Sequence, residues 1–184
     1  MHGPHISLVA EEITHLLGIT ISNSLITTWV VMLVVVLASF LLTRKLHLVP
    51  SRLQSMAEVV LEGILGLVTG LLGSHSARKF FPLLATFFLL IILSNWSGLL
   101  PGVGSIGIYT EHEEFVPLFR APTADLNTTM AFGLVAVVYV QFAGLQALGS
   151  HYLQKFFNFS NPINFFVGML EIISEFSRLI SFTF

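Results

Sequence analysis

Three small groups of polar residues sit inside or beside long apolar runs, and they are the residues that could do chemistry. The first lies in the segment from Asn161 to Phe184, NPINFFVGMLEIISEFSRLISFTF. Glu171 and Glu175 are four apart, and Arg178 is three beyond Glu175. On a helix these three share one stripe, with Ser174 and Ser181 beside them. Ionisable groups at membrane depth are costly, and their usual reason for being there is a route for ions or protons. The second group is Ser94-Asn95, near the end of an apolar run. The third is Thr123-Ala124-Asp125-Leu126-Asn127, at the start of another. A carboxylate flanked by an amide and hydroxyls can hold water and pass protons on.

Each group also has a plainer reading. Asn95 can bond a neighbouring helix, the commoner role of a lone intramembrane amide. Asp125, after Pro122, suits a helix N-cap. Glu175 and Arg178 can form an ion pair that lowers the cost of burying both. Glu171 and Glu175 are like charges one turn apart, which argues against a purely structural stripe. His112, within Glu111-His112-Glu113-Glu114, has no second histidine at a useful spacing, so a solvated acidic loop is expected there rather than a metal site. No metalloprotease, phosphate-loop or nucleophile-elbow motif is present, so nothing points to hydrolysis, to a cofactor or to a metal.

The elements that must position these groups follow from composition. Hydrophobic residues make up 54% of the 184-residue chain and charged residues 10%, which is the composition of a membrane protein. The net charge of −2 gives no reason to expect nucleic acid. With no cysteine, disulfides and thiolate metal sites are excluded. The first residues contain no basic n-region, so no signal peptide is expected. The Asn-x-Ser/Thr matches at Asn127 and Asn158 fall in apolar surroundings and read as chance.

The expected organisation is all-α: a polytopic membrane protein with about four membrane helices and one amphipathic surface helix. Residues 1–22 form a polar lead. A membrane helix covers 24–43, its apolar run being Leu25 to Leu42 with Trp29 as an interfacial anchor. Residues 51–73 open at Pro50-Ser51 and carry Ser51, Ser55, Glu58, Glu62 and Thr69 mostly at three- and four-residue steps, the pattern of a helix on or shallowly within the membrane. Its Gly63, Gly66, Gly70 and Gly73 would let another helix approach closely; a loosely packed hairpin arm is the alternative. A second span covers 80–100, a loop 101–123, a third span 124–148, and a last membrane helix 162–184. Six of the eight basic residues (Arg44, Lys45, Arg52, Arg78, Lys79, Lys155) fall on one side under simple alternation. The positive-inside rule makes that side cytoplasmic and puts the amino terminus outside. No glycine, asparagine or basic last turn closes the final helix, so the chain reads as cut within an element.

Taken in order, the stretch from Pro50 to Glu62, FFPLLATFFLLIILSNWSGLLPG (80–102), PTADLNTTMAFGL (122–134) and NPINFFVGMLEIISEFSRLISFTF resemble subunit a of the rotary F-type ATP synthases. The resemblance runs from about residue 25 to the end. It implies the stator of a proton-driven motor: two aqueous half-channels opening on opposite sides of the membrane, beside a rotating ring of c subunits. It assigns Asn95, Thr123, Asp125 and Asn127 to the outer half-channel. Glu171, with Glu175 and Ser181, falls to the inner one. It implies that the last helix is strongly tilted along the ring, and that the partners are the c-ring, the b subunits of the peripheral stalk and the lipid bilayer. The implied location is the plasma membrane of a bacterium, or an organelle inner membrane. The family's essential arginine is expected just after Phe184, so Arg178 is not that residue; Leu179 stands where the family often has proline.

Two other classes compete. A fragment of a proton-coupled secondary transporter would show an internal repeat and broken helices; no repeat is evident, although Gly98 and Pro101 mark an interruption. A structural membrane anchor would not need acids in its last helix.

Overall fold

The computed structural model describes residues 10–16, 19–109, 115–156 and 161–183. Residues 1–9 of the polar lead, the 111–114 acidic stretch with His112, the Asn158 match and Phe184 lie outside the described residues. The chain divides into two compact units. One is Glu11–Pro122; the other contains Thr123–Phe184.

In the first unit, strands β1 (Glu12–Leu16) and β2 (Ile19–Ser22) pair as an antiparallel hairpin. It runs directly into helix α1 (Asn23–Thr43), whose first turn is capped by the Ser22 hydroxyl accepting from the Leu25 N–H. Twenty-one residues at about 1.5 Å each span about 31 Å, the depth of a bilayer's hydrocarbon. The apolar flank of α1 is bare: Leu33, Val36 and Leu41 are each more than half exposed. A face this apolar and this unbroken is solvated by lipid, not by water.

Helix α2 (Arg52–Leu99) starts at a Ser51 cap that accepts from the Gln54 N–H. Gln54 itself is buried. Its Nε2 donates to Glu58 Oε1 at 2.8 Å and to the His47 carbonyl at 3.2 Å, tying the preceding loop to the helix. At Gly73 the backbone leaves helical geometry with φ 75° and ψ 159°, a conformation that only glycine adopts cheaply. The two arms on either side pack on each other: Ile64 and Val68 from the first meet Ala77 and Ala85 from the second, with Phe81 and Leu89 at the margin. Gly63, Gly66 and Gly70 do not serve as a contact surface here. A methyl group added at any of them would meet nothing within 4 Å, because the arm packs through its Ile64–Val68 side. Among the α2 glycines it is Gly98 that admits a neighbour, since a Cβ there would lie 2.6 Å from Ala121 Cβ.

Residues 101–123 hold more structure than the loop expected of them. Strands β3 (Gly107–Tyr109) and β4 (Phe115–Pro117) pair antiparallel, with Tyr109 and Phe115 edge to face at 5.5 Å. Both hairpins are gathered at the start of α1 by Asn23, which is fully buried. Its Nδ2 donates to Glu11 Oε2 at 3.3 Å and to the Pro117 carbonyl at 3.2 Å, and its N–H donates to the Glu11 carbonyl. Thr27 Oγ1, one turn on, accepts from the Arg120 N–H.

In the second unit, helix α3 (Leu126–Leu148) ends at Gly149 with φ 59°. A 3-10 turn (Gly149–Lys155) follows, then helix α4 (Pro162–Thr183). Three glycines set how closely these pieces meet. At Gly133 a Cβ would meet the side chains of Leu179, Phe182 and Thr183 at 3.4–3.5 Å, so α4 side chains pack against α3 there. Gly144 leaves room for the Tyr152 ring, and Gly168 for the Phe156 carbonyl. Apart from the two hairpins the fold is all-α, and α1, α2 and Leu126–Lys155 are long and apolar enough to cross a membrane.

Candidate functional site

The carboxylates of α4 are not isolated. Arg178 Nη1 lies 2.9 and 3.0 Å from the two oxygens of Glu175, an i,i+3 pair along one helix. Lys155, from the 3-10 turn, brings its Nζ to 2.5 Å from Glu171 Oε1 and to 4.0 Å from Glu175 Oε1. Two acids therefore face two cations, and the group is formally neutral. Repulsion between Glu171 and Glu175 is offset by an ammonium within reach of both. The plainer reading of Glu175 and Arg178 as an ion pair is realised, and Glu171 is drawn into the same cluster.

Exposure is graded along this cluster. The side chain of Glu175 is 12% exposed and that of Glu171 27%, while Lys155 and Arg178 keep about two-fifths of theirs open. The acids are thus the inner members and the cations the outer ones, as expected of long side chains that keep their charged heads wet. Beside Glu175 is a cavity of about 250 Å³ lined by Val137, Gln141, Phe156, Ile172, Phe176 and Leu179. Its only polar side chains are Glu175 and Gln141. Gln141 Oε1 accepts from the Tyr152 hydroxyl at 2.8 Å. Ser174 and Ser181, on the same stripe by sequence, are exposed.

At the start of α3 a different carboxylate is held differently. Asp125 is 3% exposed and is the N-cap of α3. Its Oδ1 accepts from the Asn127 N–H at 3.2 Å, and its Oδ2 from the Thr128 hydroxyl at 3.3 Å. The Asp125 carbonyl takes the Thr129 N–H. The capping role read from the sequence is therefore present. Aspartate is favoured at this position because the first turn offers unpaired N–H donors. Thr123, half-buried in the 3-10 turn Pro122–Ala124, lies just ahead of it, whereas the Asn127 side chain points outward and is exposed. Asn95 belongs to the last turns of α2 in the first unit, where it is exposed next to buried Ser94.

The geometry therefore gathers Glu171 with Glu175, and Asp125 with the backbone of Asn127. Three participants went unread in the sequence: Lys155, Tyr152 and Thr128. Lys155 counted only as a flanking base. Thr128 was within reach, because a hydroxyl three residues after an N-cap is placed to donate back to it.

The family model described as ATP synthase A chain matches residues 25–184. The chain belongs to the ATP synthase A chain family. Among curated relatives, ATP synthase subunit a of Trichlorobacter lovleyi is 33% identical over 183 residues, covering 97% of this chain and 71% of the relative. The subunit a of Campylobacter jejuni subsp. doylei is 34% identical over 158 residues, covering 84% and 62%. That of Geobacter sp. strain M21 is 34% identical over 178 residues, covering 94% and 69%. The chain thus spans about two-thirds of the length of the relatives it matches. Membership of this family, with its bare apolar helices, makes it a membrane protein and disfavours the secondary-transporter reading.

Proposed function

We propose that this chain is the proton-channel stator subunit of a bacterial ATP synthase, forming the half-channels that carry protons to and from the c-ring. The observation that carries the proposal is the pair of carboxylates on α4, kept in an apolar helix by paired cations, in a chain of the ATP synthase A chain family. A carboxylate on a moving partner crosses lipid readily only when neutral. It must take its proton on one side and release it on the other, and fixed polar groups of the stator serve both exchanges.

On this reading Asn95, Thr123, Asp125 and Asn127 serve the outer exchange, and Glu171, Glu175 and Ser181 the inner one. The hydrogen bonds around Asp125 support its role, because a buried carboxylate already held by a hydroxyl and an N–H sits in fixed geometry without further ordering. The partners are the c-ring and the b subunits of the peripheral stalk. The amino terminus lies outside the plasma membrane, the basic loops lie inside, and α4 runs strongly tilted along the ring.

The test uses the full-length subunit in the assembled complex, reconstituted in vesicles. Glu171→Gln and Asp125→Asn should each lower proton flux while leaving assembly intact. Unchanged flux in both variants would falsify the stator reading.

A further inference from the structure

We infer that Lys155 is a positioning residue for the inner proton exchange, holding the Glu171 carboxylate in one orientation. The inference rests on the stator reading above and adds to it a residue outside the proposed proton path.

Several features place Lys155 over α4 independently of its charge. The 3-10 turn Gly149–Lys155 reverses the chain after α3. Gly144 opens a seat for the buried Tyr152 ring, whose hydroxyl is anchored on Gln141. Gly168 lets the Phe156 carbonyl lie directly on the α4 backbone. Tyr152 and Phe156 meet edge to face at 5.7 Å, and the Lys155 ammonium lies 5.9 and 5.6 Å from their ring centres. Backbone, aromatic flanks and two carboxylates thus converge on one ammonium.

The groups facing Glu171 make the consequence specific. Lys155 approaches from the turn; Glu175 stands one helical turn along, with Arg178 engaging it. With Arg178 committed to Glu175, Lys155 is the cation at hydrogen-bonding distance from Glu171 among the described residues. Without it, Glu171 would face a like charge and turn away. A proton carrier works when its acceptor atom is fixed within reach of donor and water, and small misplacements are costly.

The experiment measures proton flux and subunit retention for full-length subunit a in the reconstituted complex. Lys155→Met is expected to lower flux on the order of tenfold, with Lys155→Arg restoring most of it. In a Glu171→Gln background, Lys155→Met should add less than about twofold, because the two residues act as one unit. If neither Glu171→Gln nor Asp125→Asn lowers flux, the stator reading fails. If Asp125→Asn lowers flux but Glu171→Gln does not, or Glu171→Gln lowers it and Lys155→Met does not, only the role of Lys155 is overturned. Equal loss in Lys155→Met and Lys155→Arg, or additive loss with Glu171→Gln, also overturns it. Should Lys155→Met not assemble, Lys155→Gln takes its place; loss of assembly in both makes the residue structural and rejects the inference.

Discussion

The start of α3 and the middle of α4 solve one problem in two ways. Each keeps a carboxylate away from open water. Asp125 is almost wholly buried and is held by an N–H and a hydroxyl of its own helix, groups that lie within four residues of it. Glu171 is more open and is held by an ammonium sixteen residues earlier, across a turn. Local hydrogen bonds come with the helix and are rigid; an ion pair between elements exists only while those elements stay packed. The comparison teaches that position along a helix decides the method. A helix start has spare N–H donors to offer, and a helix middle has none.

The comparison is broken most severely by Asp125→Asn. Asparagine caps as well as aspartate, so stability should stay within about 0.5 kcal/mol of the parent, whereas proton flux should fall on the order of a hundredfold. Equal losses in thermal stability and flux would mean that Asp125 is a cap and nothing more. Next comes Gly168→Leu, which pushes the Phe156 backbone off α4 and breaks the Lys155–Glu171 pair without touching either residue. It should cost about 2 kcal/mol in denaturant unfolding of the detergent-solubilised protein, and leave the Asp125 cap intact. Glu171→Gln should reduce flux on the order of tenfold, a smaller effect than at Asp125 because Glu175 remains one turn away. The least effect is expected from Arg178→Met. Its pair with Glu175 is partly exposed, so unfolding should shift by less than about 1 kcal/mol; a larger shift would show that α4 depends on its cations more than the comparison allows.

How much of this was visible in the residues depends on range. The apolar runs announced α1, the second arm of α2 and α3, because helix length and bilayer thickness are matched through composition alone. The α4 stripe was visible because spacings of three, four and seven fold onto one face. Asp125 as a cap was visible from Pro122 and residue type. What stayed hidden depends on contacts between distant segments. The hairpins β1–β2 and β3–β4 have strands of three to five residues, too short for alternation to register. Lys155 reads as an ordinary flanking base until the 3-10 turn lays it on α4. Gly63, Gly66 and Gly70 face open space, and the arm packs on its neighbour through Ile64 and Val68 instead. Small residues permit a close neighbour, but they do not say which face the chain will use.

The buried amide of Asn23 sets an order of events for synthesis. Its bond to the Pro117 carbonyl joins residues 94 apart, and the neighbouring bond from the Arg120 N–H to Thr27 joins residues 93 apart. While the chain is being made, α1 is complete long before either partner exists. Through the whole translation of α2 only lipid and the bonds from Asn23 to Glu11 hold the start of α1, and the clasp closes only when the second hairpin arrives.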